Sequence, residues 1–265
     1  MNLLRQYFLS YRSVGMQTAL ILAGLFFSTG LAYGGDRGAT VIGHHIRLEG
    51  YGLKHASQKI FELQVEQCAK QGYTVAPMPA GESHGFMSRD VYFVPGAVTT
   101  YEVIKGFQLE VDPPCKLTIT KFENAVIDVP SGNCFIKFET RAASGNCKIA
   151  VSELSERKNR HRYLGQDRPT GEFKTIAGHK CSVYTGESPG FIGNVCYASK
   201  DTFDGLADGF RGARGPILSI ESFTKNDRTT PVISLSAVKV ESSIPIPVSI
   251  LLPHLGDNFI IKGNR

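Results

Sequence analysis

A chain of 265 residues that is 42% hydrophobic and 20% charged has the composition of an ordinary globular protein and enough apolar content for a sizeable core, which excludes a disordered tract. Tryptophan is absent, and 28 glycines with 13 prolines favour many turns over long helices. The formal charge of +5, which falls to +3 if Arg5 and Arg12 leave with a signal segment, is too small to argue for a nucleic-acid partner.

Residues 1–32 read as a secretory signal. A basic stretch carrying Arg5 and Arg12 precedes an uncharged apolar run from Met16 to Leu31, and the small Gly30 and Ala32 suit a cut after Ala32. The run is short for a span of roughly 20 apolar residues, and Gln17, Thr18, Ser28 and Thr29 interrupt it. An uncleaved N-terminal anchor is the rival reading. The expected location is the periplasm or the exterior.

The remainder divides into an N-terminal α+β segment, 33–89, and an antiparallel β domain, 90–265, or forms one continuous domain. A strand is expected at His45–Leu48. Over 56–71, Phe61, Leu63 and Val65 alternate as a strand would, whereas Phe61, Val65, Cys68 and Ala69 make a helical stripe; the length, the Glu and Gln content and Gly72 as a stop favour the helix. Tyr73–Ala76 reads as a return strand. From Asp90 the runs Val91–Val94, Thr99–Val111, Lys116–Val129, Cys134–Thr140 and Lys148–Leu154 alternate apolar with polar residues and close on Pro or Gly. Their connections are too short for crossover helices, so the fold class is mainly β: an antiparallel curved sheet or half-barrel with one or two short helices, stapled by disulfides.

Thr170–Tyr197 reads as strand, tight turn at Gly178, strand, glycine-rich turn, strand. Asp201–Arg211 is a second helix candidate, with Phe203, Leu206, Ala207 and Phe210 on one stripe. Strands are expected at Ile217–Thr224 and Val232–Glu241, before a proline-rich close containing Val248–Leu252 and Phe259–Lys262.

All six cysteines lie beyond the signal, and export lets them persist as disulfides in any of fifteen connectivities. Cys134 and Cys147 flank one reversal and Cys181 and Cys196 another, which ranks these pairs first and leaves Cys68 for Cys115. No metal site is expected, because there is no Cys-x-x-Cys and no histidine spacing to match. No cofactor is expected either, since phosphate cradles and dinucleotide fingerprints are missing from the sequence.

Two stretches, Gly81–Gly85 and Gly186–Gly190, match Gly-x-Ser-x-Gly. They make Ser83 and Ser188, with His179 or His254 as base, the candidates for a secreted serine hydrolase or toxin-like enzyme. Neither lies in the strand-to-helix setting that a nucleophile elbow needs. Both copies continue Gly-Glu-Ser-x-Gly-Phe, with Tyr92 and Tyr197 at the same offset, for which a shared turn type is the simpler cause. Adjacent His44 and His45 would point to opposite faces of a strand. Arg157, Lys158, Arg160 and Arg162 concentrate positive charge that would suit anionic headgroups or an acidic partner, or simply a solvated loop.

Gly171-Glu172 through Ile176-Ala177-Gly178-His179-Lys180-Cys181 to Tyr184, the short strand at Val195–Tyr197, the strand after Pro216 and the proline-rich close before Leu252-Pro253 resemble exported bacterial domains related to the LolA-type periplasmic lipoprotein carriers. The resemblance covers the C-terminal half. It implies a curved half-barrel whose apolar concave side, covered by helices, holds acyl chains; six cysteines and few helices depart from that pattern. The leading expectation is a non-catalytic exported binding or envelope-assembly protein that holds a lipid, another apolar ligand or a protein partner. A subunit of a secretion, pilus or conjugation apparatus is a further alternative.

Overall fold

The computed structural model describes residues 39–52, 54–75, 85–110, 115–129, 131–155, 167–188, 190–199, 215–255 and 259–262. By internal contacts the chain divides into Met1–Gly35 and Asp36–Arg265, and every described residue belongs to the second unit, which takes in both sides of the expected 33–89 and 90–265 division.

That unit is mainly β and carries one curved, unclosed sheet of twelve strands. In chain order these are β1 (Thr40–Gly52), β2 (Phe86–Val94), β3 (Ala97–Glu110), β4 (Lys116–Val129), β5 (Gly132–Lys137), β6 (Ala142–Gly145), β7 (Arg168–Ile176), β8 (His179–Ser188), β9 (Phe191–Ala198), β10 (Ile217–Thr224), β11 (Ile233–Pro247) and β12 (Ile260–Lys262). They lie in the order β12-β6-β5-β4-β3-β2-β1-β11-β10-β9-β8-β7. Every pairing is antiparallel except β12 on β6. Two neighbour pairs depart from the meander: β11 lies beside β1 and joins two runs of hairpins, and β12 returns to lie parallel beside β6.

Helix α1 (Lys54–Lys70) ends as its sequence dictates. Gly72 sits at φ +81°, its N–H bonds to the Ala69 carbonyl and the Tyr73 N–H to the Cys68 carbonyl, the paired bonds of a Schellman stop. The expected strand at Tyr73–Ala76 is not formed over Tyr73–Val75, which carries no regular element, and Ala76 lies outside the described residues. Lys148–Leu154 is likewise no strand. Its second half winds into a 3₁₀ turn, Val151–Ser155, in which Glu153 accepts the Ala150 N–H. The Val248–Leu252 run forms one helical turn, α2 (Val248–Leu251), followed by a 3₁₀ turn, Pro253–Leu255. The Asp201–Arg211 helix candidate lies outside the described residues.

Between β7 and β8, Ala177 and Gly178 both take positive φ (48° and 81°), the backbone that a two-residue type I′ hairpin requires. The doubled Gly-Glu-Ser-x-Gly-Phe has an equally local basis. Gly85 and Gly190 sit at φ +67° and +83°, each immediately before a strand that begins at phenylalanine, so what the two copies share is a left-handed glycine entering a strand.

Two parts of the sheet bury opposite faces. On β1, β2 and β8–β11, one face gathers Ile46, Leu48, Met87, Phe93, Val183, Leu218 and Leu235 into a core, so this part of the sheet curls toward that face. On β3–β6 the reverse face is buried: Ala125, Ile127, Ile136 and Ala143 pack under Leu154, Val248, Leu251 and Leu252 from the turns. Thr99 Oγ donates to the Leu251 carbonyl at 2.8 Å and the Tyr101 hydroxyl to the Ile250 carbonyl at 2.6 Å, which pins this cover to β3. Farther along the same face, α1 packs Phe61, Val65 and Cys68 against Leu109 and Leu117.

Three disulfides join Cys68–Cys115, Cys134–Cys147 and Cys181–Cys196. Cys181 stands opposite Ala198, and Cys196 opposite Val183, so the last bridge runs diagonally across the β8–β9 hairpin on its buried face. Strand β7 forms one edge of the sheet and is exposed over nearly its whole length. Pro169 and a register shift containing Gly171 (φ +82°) break its outer edge, devices that discourage strand addition.

Candidate functional site

Strand alternation and register place two apolar rows on the face that curls inward. In one row, Ile46 of β1 stands opposite Val91 of β2, Val91 opposite Thr100, Thr100 opposite Val126, and Val126 opposite Phe135 of β5. In the other, Met87 of β2 faces Ile104 of β3, which faces Phe122 of β4. Each row starts buried within the curled half and ends on an exposed aromatic ring, Phe122 at 47% and Phe135 at 49% exposure. Between them runs a polar row, Arg89–Glu102–Asn124–Lys137, in which Arg89 Nε contacts Glu102 Oε2 at 2.5 Å.

No described element packs its core residues over this face of β3–β5, because α1, α2 and both 3₁₀ turns all cover the other side. The site is thus an apolar lip continuous with a buried interior. It offers dispersion contact and dehydration, with a charged pair and Lys137 between the rows to meet a polar end group.

On the reverse face, where β11, β1 and β2 meet, a charged seam surrounds His45. Its Nδ1 lies 2.8 Å from Glu241 Oε2 and its Nε2 2.7 Å from Asp90 Oδ1, and its ring stacks on Tyr92 at 4.5 Å between centroids. Burial pushes the imidazole toward neutrality, but hydrogen bonds to Asp90 and Glu241 outweigh it and raise its pKa above the usual 6.5. Lys239, then His45, hold the Glu241 carboxyl below its ordinary range. Tyr92 meets Tyr101 edge-on, and burial drives the Tyr101 hydroxyl well above its ordinary value. As the strand period requires, His44 points the other way, where its Nδ1 accepts the Ser243 N–H at 3.2 Å.

Of the hydrolase candidates, the described residues keep Ser188 and His179 apart. Ser188 and His179 occupy opposite ends of the ten-residue β8, roughly 30 Å apart at about 3.3 Å per residue, too far for proton transfer. Ser188 leads into a β-hairpin whose register pairs it with Phe191, not into a helix. His254 is buried and donates Nε2–H to the Cys147 carbonyl at 2.8 Å. Ser83 and the cationic Arg157, Lys158, Arg160 and Arg162 lie outside the described residues. Sequence reasoning passed over both Phe122 and Phe135 and the His45 seam. Alternation placed the phenylalanines on strands but not on an uncovered face, and His45, Asp90 and Glu241 are distant in sequence.

His254 does carry a testable property. Its Nδ1 has no hydrogen-bond partner among the described residues, and burial lowers its pKa below 6.5. The unfolded chain therefore binds this proton more readily, so stability falls as pH drops from about 6.5. His254→Gln, which removes the titration and keeps an N–H donor, is expected to narrow the difference between urea midpoints at pH 7 and pH 5; an unchanged difference would exclude His254 as its source.

In class, the molecule is a mainly β protein built on one curved open sheet with three disulfides and an apolar face that emerges from its interior. No known family model matches the chain, and no curated protein matches it.

Proposed function

We propose that this is a non-catalytic exported protein, periplasmic or secreted, that binds an apolar ligand of the acyl-chain type along the Phe122–Phe135 lip. One observation carries the reading: two rows of apolar side chains begin within a closed core and end on exposed rings, on a face of β3–β5 that no described element covers. Three disulfides, and the lack among the described residues of a helix long and apolar enough to cross a membrane, are compatible with export. Ligand holding of this kind is also what the resemblance to the LolA-type carriers implies.

The test is titration of the folded protein with a fluorescent apolar probe such as N-phenylnaphthylamine, with organic extraction and mass spectrometry of the purified protein alongside. Saturable probe uptake that oleate displaces is expected. The Phe122→Ser/Phe135→Ser variant should bind the probe about tenfold more weakly, a loss of ~1.4 kcal/mol, with unchanged far-ultraviolet circular dichroism. Wild-type protein that folds, yields no lipid and takes up no probe would overturn the proposal.

A further inference from the structure

The His45 seam supports a second role that does not depend on the ligand. Each imidazole nitrogen lies within hydrogen-bond distance of a carboxylate oxygen, Glu241 on β11 and Asp90 on β2, while the ring itself belongs to the strand between them. A neutral imidazole has one N–H and one lone pair, so it satisfies only one of these carboxylates and turns its lone pair on the other. Both contacts hold together only when the ring carries two protons.

The ring is also confined. Its side chain is 9% exposed, it stacks on Tyr92, and it adjoins the register shift between Gly43 and His45, where Ser243 takes φ +55° and its N–H is held by His44. Those three strands join the two runs of hairpins, β1 and β2 from one run and β11 from the other.

We propose that His45 is a proton-operated clasp, whose imidazolium binds β2 to β11 across β1 and whose deprotonation loosens the seam between the two halves of the sheet. The charged and titratable groups facing it account for the preference. Asp90 and Tyr92 approach from β2 and Glu241 from β11; Lys239 pairs with Glu241, Arg47 with Glu49 on β1, and Tyr101 of β3 closes the aromatic side through Tyr92. Its pKa is raised by the two carboxylates. The folded state thus binds the proton more tightly than the unfolded chain, and the contribution is complete below about pH 6.5 and is lost as pH rises through the folded midpoint. This is opposite in sign to His254, so the two histidines place the stability maximum between their effects.

The experiment is a nitrogen-15 titration of the histidine rings in the intact folded protein, read together with amide exchange. Two protonated nitrogens at His45 at pH 6.5, a midpoint above 6.5, and faster exchange at Val91 and Val240 above that midpoint are expected. Asp90→Asn and Glu241→Gln should each lower the midpoint by about one pH unit, a tenfold loss of proton affinity. A singly protonated ring at pH 6.5, or exchange at those amides that ignores the His45 midpoint once intrinsic pH effects are removed, would overturn the clasp. The wild-type titration decides the matter even if a variant fails to fold.

Discussion

Replacing Cys68 and Cys115 together by serine is expected to lower stability by about 4 kcal/mol, the chain-entropy figure for a sequence separation of 47 residues. The corresponding figures for Cys134–Cys147 and Cys181–Cys196, with separations of 13 and 15, are about 3 kcal/mol each. The first bridge differs in kind as well. It anchors α1 to the start of β4 over a cluster whose buried members among the described residues are Cys68, Leu109 and Cys115, with Phe61, Val65, Val75 and Leu117 half-buried around them. The bridge adds a covalent tether to that packing and holds the 17-residue helix against the entropy of freeing it. Amide exchange in the variant should therefore show α1 unprotected while β3 and β4 stay protected, and urea unfolding should show the loss of midpoint. Retained protection in α1 with an unchanged midpoint would mean that packing alone docks the helix.

The second large effect belongs to the cover over the other end of β3. Leu251 is fully buried at the centre of that core, and its backbone carbonyl receives the Thr99 hydroxyl. Leu251→Ala removes the side chain and leaves a cavity in a setting clamped by Thr99 and Tyr101, so the site cannot collapse easily. A loss of about 3 kcal/mol is expected, within the usual range of roughly 2–5 kcal/mol for such truncations. For a unit of this size that corresponds to a fall in Tm of about 6–12 °C in a calorimetric scan. Leu255→Ala, at a side chain that is already largely exposed, serves as control and should change stability by no more than about 0.5 kcal/mol. Equal effects from the two variants would show that the C-terminal turns do not form part of the core.

These two covers explain why no described element closes over the lip. Both α1 and the Val248–Leu255 turns lie on one side of β3–β5, and once that side is occupied the alternate side chains, Phe122, Val126 and Phe135 among them, face outward. A strand with two apolar faces and one cover presents the other face to whatever the protein meets.

Much of the architecture was written locally. Alternation in Lys116–Val129 gives that strand its bounds, because the pleat turns a two-residue period directly into two faces. The Phe61–Val65–Cys68 stripe with Gly72 specified α1 and its stop, and the hairpin spacing around Cys181 and Cys196 brought those thiols within reach of each other. Lys148–Leu154 misled because its alternation is that of a strand, while the Glu153 carboxylate capping the Ala150 N–H and the packing of Leu154 into the core favour a 3₁₀ turn. What only the tertiary structure decided is which face of each strand is buried. Periodicity assigns residues to two sides but does not say which side receives a cover. That choice depends on β11 pairing with β1 some two hundred residues away, on the disulfide that seats α1, and on turns that fold back over β3. The same long-range pairing brings His45, Asp90 and Glu241 together, so neither the apolar lip nor the clasp could be read from any local stretch of the chain.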